Sequence, residues 1–366
     1  MRNFLARIDI NRSGARICEP LVVIESDDWG SQRMPSKEAY DALMKKGVSV
    51  DKSAYLRYDG LETSKDLTDL LEVLQKHRGS DGKPAVFTAN MVMGNPDYEQ
   101  IRNGDYQNYV RVDLQKTFEQ TAGCEYMLTL VKQGMDAGLW MPQFHGREHL
   151  QVKRWMEALQ GRKEPFFTAF QEGVAGLSND IIPGDSVQAA FDRCDTEATM
   201  DIIIEGLDDF ERIFGFRSET LIANNYIWSD DLNQGLLAAG VRHFQGMKYQ
   251  LLPRKASQEK REKIRRKTGE VNALGQTYGV RNCHFEPTER GHTVHGVLKE
   301  ISSAFFWKKP AIICTHRINY TGRLDENRRR QNLKELDRLL REIRLRWPKV
   351  RFISTVELAN VLKNDA

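Results

Sequence analysis

The chain alternates between short apolar runs and longer stretches whose apolar residues recur at helical spacing. The first run, Leu21-Val22-Val23-Ile24, reads as a buried strand that stops at Glu25-Ser26-Asp27-Asp28-Trp29-Gly30. Residues 36–47 predict a helix with Ser36 as its N-cap and Gly47 past its end. A second amphipathic helix is predicted from Ser64 to about His77, with Leu67, Leu70, Leu71 and Leu74 on one face. Residues 84–93 form the next strand candidate, and 115–137 a helix closed by Gly138. Residues 139–144 read as a short apolar strand that runs into His145, and a helix is predicted over 148–159.

The same alternation continues to the end of the chain. Helices are predicted over 186–214, 229–239, 294–307, 327–347 and 355–362. Strands are predicted over 219–223, 241–245, 280–285, 310–315 and 350–354, the fourth of these ending at His316. No linker rich in Pro, Gly or Ser interrupts the series, and no internal repeat is visible. Strand–helix alternation without a break predicts one parallel α/β domain over 1–366, a barrel or a distorted one.

Composition narrows the class. The 366 residues carry 54 basic and 51 acidic side chains, a net charge of +3, which gives no argument for nucleic acid as a partner. The five cysteines are far apart and no C-x-x-C occurs, so reduced thiols are expected rather than a disulfide framework. The first ten residues lack the apolar core of a signal peptide, and no uncharged run is long enough for an integral membrane segment. A cytoplasmic protein is the resulting expectation. The one strong charge run, 254–268, reads either as an exposed, mobile insertion or as a docking patch for an anionic polymer or membrane surface.

Candidate chemistry sits at strand ends, where α/β proteins bind ligands. Asp27 and Asp28 follow the first strand, His145 and His149 the third, and His316 a late one. Two adjacent acids repel each other, so they suit a site where a cation or a task separates them; a solvated turn is the plain alternative. Two histidines four residues apart meet on one helical face, and a carboxylate from another strand end completes a ligand set for zinc or a similar first-row ion. Glu148 precedes the second histidine directly, so the H-E-x-x-H pattern of zinc proteases does not fit.

These residues resemble the motifs of NodB-like polysaccharide deacetylases, a carbohydrate esterase superfamily. Its strand-end T-F-D-D-G is similar to Ser26-Asp27-Asp28-Trp29-Gly30, its H-[ST]-x-x-H to the segment from His145 to His149, and its L-x-H to Cys314-Thr315-His316. The resemblance spans roughly residues 20–360. It implies a distorted (β/α)7 barrel, with helical insertions near 36–80 and 250–275. It also implies Asp27 as general base, Asp28, His145 and His149 as metal ligands, and His316 as general acid. The implied cofactor is a divalent metal, Zn2+ first, with Mn2+, Co2+ or Ni2+ as alternatives.

Two family motifs have no direct counterpart. For the third motif, R-x-P-Y, one register uses Phe216-Arg217-Ser218-Glu219. A favoured second register uses Ala223-Asn224-Asn225-Tyr226, placing Asn224 or Asn225 in the site. For the Asp-Trp motif that orients the catalytic histidine, Glu286 or Arg281 stands in the right part of the chain, a structural role being equally open. Arg317 and Asn319 are expected substrate contacts, and Trp29 either walls a sugar or packs in the core. His77, His243, His292 and His295 are expected to be packing or surface residues. The implied activity is metal-dependent removal of N- or O-acetyl groups from an acetylated glycan or sugar intermediate. The alternatives are a catalytically altered relative that binds glycan or a biosynthetic partner, and a related amide or formyl hydrolase.

Overall fold

A computed structural model describes residues 2–364 apart from 185, 255–259 and 290. Nine strands make the main sheet: β1 (Leu21–Trp29), β2 (Phe87–Met91), β3 (Trp140–Phe144), β4 (Thr220–Leu221), β5 (His243–Gly246), β6 (Thr277–Val280), β7 (Cys283–His284), β8 (Ala311–His316) and β9 (Arg351–Phe352). Their order is β6-β5-β4-β3-β2-β1-β8-β7, with β9 also paired to β1, and every pairing is parallel.

The two ends of that path, β6 and β7, are separated in sequence only by Arg281 and Asn282. The Arg281 amide still bonds Gly246 of β5 at 2.9 Å, whereas the Asn282 amide bonds Ile312 of β8 at 3.1 Å. One bent run therefore changes partners across two residues, and the sheet curls back on itself. Counting that run once leaves seven strands along the path, with β9 beside β1 as an eighth. The single strand predicted over 280–285 is thus the second half of this bend.

β1 lies in the middle and is buried along its whole length. Leu21 and Val23 pack with Ile312, Ile353, Leu358 and Leu362, while Val22 and Ile24 join the large core beneath the surrounding helices. Parallel strands covered on both faces need such unbroken apolar runs. The helices follow sequence rules: Ser36 caps Lys37–Lys45, and Thr63 and Asp66 form a capping box on Ser64–Gln75.

A second apolar cluster lies apart from the barrel core. It draws Leu43 and Leu56 from the segment after β1, Ile101 from the segment after β2, and Trp155, Phe170 and Leu177 from the segment after β3. Loops at strand carboxyl ends thus build their own core. The helix at Ser64–Gln75, placed near the same expected insertion, instead packs on the barrel.

Other expectations change. Residues 115–137 form two helices, Leu114–Glu119 and Met127–Asp136, and the helix expected from residue 186 begins only at Thr196. Part of the basic run, 255–259, lies outside the described residues; three arginines of the remainder are held in ion pairs. Lys263–Arg265 forms an antiparallel ladder with Tyr249–Leu251. Arg261 bonds Asp192, Arg265 bonds Asp9, and Arg266 bonds Asp230. No helix among the described residues is long and apolar enough to cross a membrane.

Candidate metal centre and active site

The carboxyl ends of β1, β3 and β8 meet around a cavity of about 220 Å³ that Asp27, Asp28, His145, His149 and His316 all line. Adjacent strand residues normally face opposite sides of a sheet. Asp28 escapes this rule because its φ is +76°, and the β1–β2 register shifts between Ser26 and Trp29. A left-handed aspartate inside this bulge brings both carboxylates into one cavity, at the cost of backbone strain of the kind found at functional sites.

The two histidines do not share a helix. Residues 145–151 are a loop, and the helix starts at Val152. Gly146 turns the chain at φ +116°, and the Asn224 side-chain amide donates to the His145 carbonyl at 2.8 Å. The helix expected from residue 148 therefore begins four residues later. His145 Nδ1 donates to the Ile222 carbonyl at 2.9 Å, which leaves Nε2 as the lone-pair nitrogen.

His145 Nε2 lies 3.4 Å and His149 Nε2 3.2 Å from Asp28 Oδ1. One candidate ligand atom from each of the three residues lies within 4.8 Å of the others. His145 Nε2 is buried with no hydrogen-bond partner, an orphaned acceptor that a cation would satisfy. Burial, aided by the Arg33 charge, pushes the His149 imidazole down to about 4, so it is neutral and able to ligate at neutral pH. Burial would raise the Asp28 carboxyl, but Arg33 and the histidines outweigh it and hold the group well below the ordinary range. The donor set fits a divalent first-row ion.

Asp27 has different partners. Arg281 Nη1 and Nη2 reach its two oxygens at 2.6 and 2.7 Å, and Asn90 donates at 2.8 Å. Arg281 also donates through Nε to Glu25 at 2.7 Å. Burial opposes ionisation of Asp27, yet the guanidinium prevails and keeps it a carboxylate. Arg281 stands at the bend between β6 and β7, which aims it at the strand end of β1.

His316 Nε2 is 3.6 Å from Asp27 Oδ2, and its Nδ1 is 2.6 Å from Glu286 Oε1. Burial alone would lower the His316 pKa, but Glu286, Cys314 and Asp27 raise it well above the ordinary histidine value. Asn319 fixes the other Glu286 oxygen at 2.7 Å, and Tyr55 meets the His316 ring edge-on at 5.4 Å. The cavity thus joins an ionised carboxylate to a protonated imidazole, beside three metal-type ligands.

Several expected contacts lie elsewhere. Trp29 is fully buried, edge-on to Trp140 at 4.7 Å and stacked on Tyr320 at 6.5 Å, with its indole N–H on Ser26. It therefore packs the core and does not wall a sugar site. Arg317 is also fully buried; its turn directs it to Asp59 at 3.0 Å and Glu62 at 2.7 Å, because a buried guanidinium needs carboxylates. Asn224 holds the ligand loop from behind, so of the two asparagines only Asn225 lines the cavity. Arg217 faces outward to Asp208 and Glu211, and the guanidinium beside Asp27 comes from Arg281 instead. Glu148 pairs with Arg147, away from the cavity.

Sequence reasoning missed Arg33 and Tyr55, which line the cavity, and it passed over Tyr226. Arg33 forms ion pairs with Asp28 at 2.9 Å and with Asp59 at 3.2 Å. Its position five residues after Asp28 was the only signal. Asn225 and Tyr226 both have left-handed backbones, φ +54° and +60°, and the Ala-Asn-Asn-Tyr stretch could have flagged that turn.

No family model matches the chain, and a comparison with curated protein sequences finds no relative. Solved structures do resemble it. A 4-alpha-glucanotransferase from Thermococcus litoralis is 8% identical over 94% of this chain, with a TM-score of 0.47; this chain spans only 40% of that one. A peptidoglycan deacetylase from Bacillus subtilis is 9% identical, with 94% of this chain and 93% of that one covered and a TM-score of 0.39. The Xyl-CE4 domain of a multidomain xylanase from the hindgut metagenome of Trinervitermes trinervoides is 9% identical, with 94% and 91% covered and a TM-score of 0.40.

Proposed function

We propose that this protein is a metal-dependent deacetylase that hydrolyses an acetyl amide or ester on a sugar. The observation that carries the reading is the convergence of two differently tuned pairs, Asp27–Arg281 and His316–Glu286, on the Asp28, His145 and His149 ligand set. A divalent ion held by those three residues supplies Lewis acidity toward the acyl carbonyl.

Asp27, kept ionised by Arg281, accepts the proton of the attacking water. Its low basicity is offset by position, since the carboxylate is fixed by three charged or polar donors and needs no reorganisation. His316 carries its proton on Nε2 toward the cavity and gives it to the departing amine or alcohol. Glu286 holds the imidazole through Nδ1 and keeps that proton available near neutral pH. The cavity wall of Tyr55, Ala223 and Tyr226 limits water around the reacting group.

The test is metal content and acetate release measured on the same preparations. Wild type should bind one divalent ion per chain and release acetate from an acetylated amino sugar. Asp27→Asn should keep the ion and lose release, whereas His145→Ala should lose both. Wild type that binds no divalent ion would end this reading.

A further inference from the structure

A second cavity of about 330 Å³ adjoins the first, and Asn225 lines both. The stretch 186–192 runs along the two: Gln188 faces the catalytic cavity, while Ser186 and Asp192 face the second. No step of the hydrolysis described above uses this space. Its chemistry is unlike that of a neutral sugar site. Arg154, Arg254 and Arg261 line it against a single described carboxylate, Asp192.

Asp192 is buried and acts as the anchor of the group. Arg261 reaches its two oxygens at 2.7 and 2.6 Å, Arg154 reaches it at 3.4 Å, and the Arg254 backbone amide donates to it at 3.1 Å. The Arg254 guanidinium bonds a backbone carbonyl, Gly184, at 3.2 Å, and no ion pair holds it among the described residues. One carboxylate thus holds two guanidiniums and the backbone of Arg254, and the described lining keeps a surplus of two positive charges. Forked N–H groups in this arrangement suit phosphoryl oxygens, and the surplus matches a dianion better than a single carboxylate.

We propose that this cavity holds the phosphoryl group of an acetylated sugar phosphate while the acetyl group lies in the catalytic cavity. The proposal rests on the deacetylase reading for its second half, and the arginine site can be tested without it. The class of reaction that supplies such a substrate is one that makes a glycosyl phosphate or diphosphate from an N-acetylated sugar.

The direct test is calorimetric binding of inorganic pyrophosphate to the metal-free full chain. Binding should weaken by about tenfold or more in Arg254→Ala, and again in Arg154→Ala, as expected for losing a charge-assisted hydrogen bond. In the metal-loaded protein, acetate release from N-acetylglucosamine 1-phosphate should exceed that from N-acetylglucosamine in kcat/KM, and Arg254→Ala should shrink the ratio about tenfold. Arginine-dependent pyrophosphate binding without acetate release from any sugar would uphold the anion site and remove the deacetylase reading. Pyrophosphate binding unchanged by both arginine variants would overturn the anion site, whatever the activity. A preference for an N-acetylated uronic acid over the 1-phosphate would overturn the phosphoryl assignment.

Discussion

Replacing Glu286 by Gln isolates the most specific electrostatic feature of the cavity. In the native site Glu286 Oε1 accepts from His316 Nδ1 at 2.6 Å, and Oε2 accepts from Asn319 at 2.7 Å, so both oxygens act as acceptors. A glutamine offers one acceptor and one donor. Its amide must face a donor with a donor, either at Asn319 or at protonated His316. A hydrogen bond to a charged group contributes about 1.5–3 kcal/mol. Since 1.36 kcal/mol is one pKa unit, the His316 pKa should fall by about one to two units. The sign follows from burial, which disfavours the imidazolium once its carboxylate partner is gone. Because His316 acts in its protonated form, kcat/KM should decline as pH rises through the raised native pKa, and in Glu286→Gln the decline should begin at lower pH. The assay is acetate release from an acetylated amino sugar across pH, paired with NMR titration of the His316 ring in metal-free protein. An unchanged ring titration would refute the assignment of Glu286 even if the rate fell.

Other perturbations probe other contacts. Arg281→Ala leaves Glu25 and Asp27 buried without their shared counter-charge and should cost about 3–5 kcal/mol, read by urea unfolding. Trp29→Ala should cost about 3–5 kcal/mol of stability, again by urea unfolding. A sugar-wall role would instead raise KM with stability intact. Gly146→Ala puts a side chain at φ +116° with its Cβ 3.1 Å from the Glu148 carbonyl, so it should displace the loop between the two histidines. Calorimetry should then show weaker zinc binding, and zinc affinity equal to wild type would show that the turn does not position the ligands.

The barrel was legible because its strands are apolar on both faces, as at Leu21–Ile24, and its helices carry their own caps, as at Ser36 and Thr63. Glu286 was legible as one of two candidates to orient His316, but the long-range partners of Asp27 and of the His145 carbonyl were not. Arg281 is 254 residues from Asp27, and Asn224 is 79 residues from the His145 carbonyl it holds. No local pattern encodes such pairings; only the parallel order of β1, β8 and the bent β6–β7 run brings them together. The loop at 145–151 misled for a related reason. The turn at Gly146 is braced by Asn224, a partner from another strand end. Trp29 and Arg317 misled because proximity to a strand end says nothing about direction. Each residue turns down from the cavity to partners, Tyr320 and Glu62, that only the folded chain supplies.

The chain itself gives the two neighbouring carboxylates separate environments. Each has its own guanidinium, and the two guanidiniums belong to different networks. Arg281 binds Asp27 together with Glu25 inside the barrel, while Arg33 binds Asp28 together with Asp59, which also pairs with Arg317. The left-handed backbone of Asp28 turns its carboxylate toward the histidines and leaves Asp27 facing His316. Coulomb repulsion between the adjacent charges is thus answered on both sides by the chain's own guanidiniums. The structural cost is strain at Asp28 and six further buried acidic or basic side chains around it, which packing alone would not retain. A plain strand-end turn has no use for that cost. A site that must hold one carboxylate as a ligand and its neighbour as a base does.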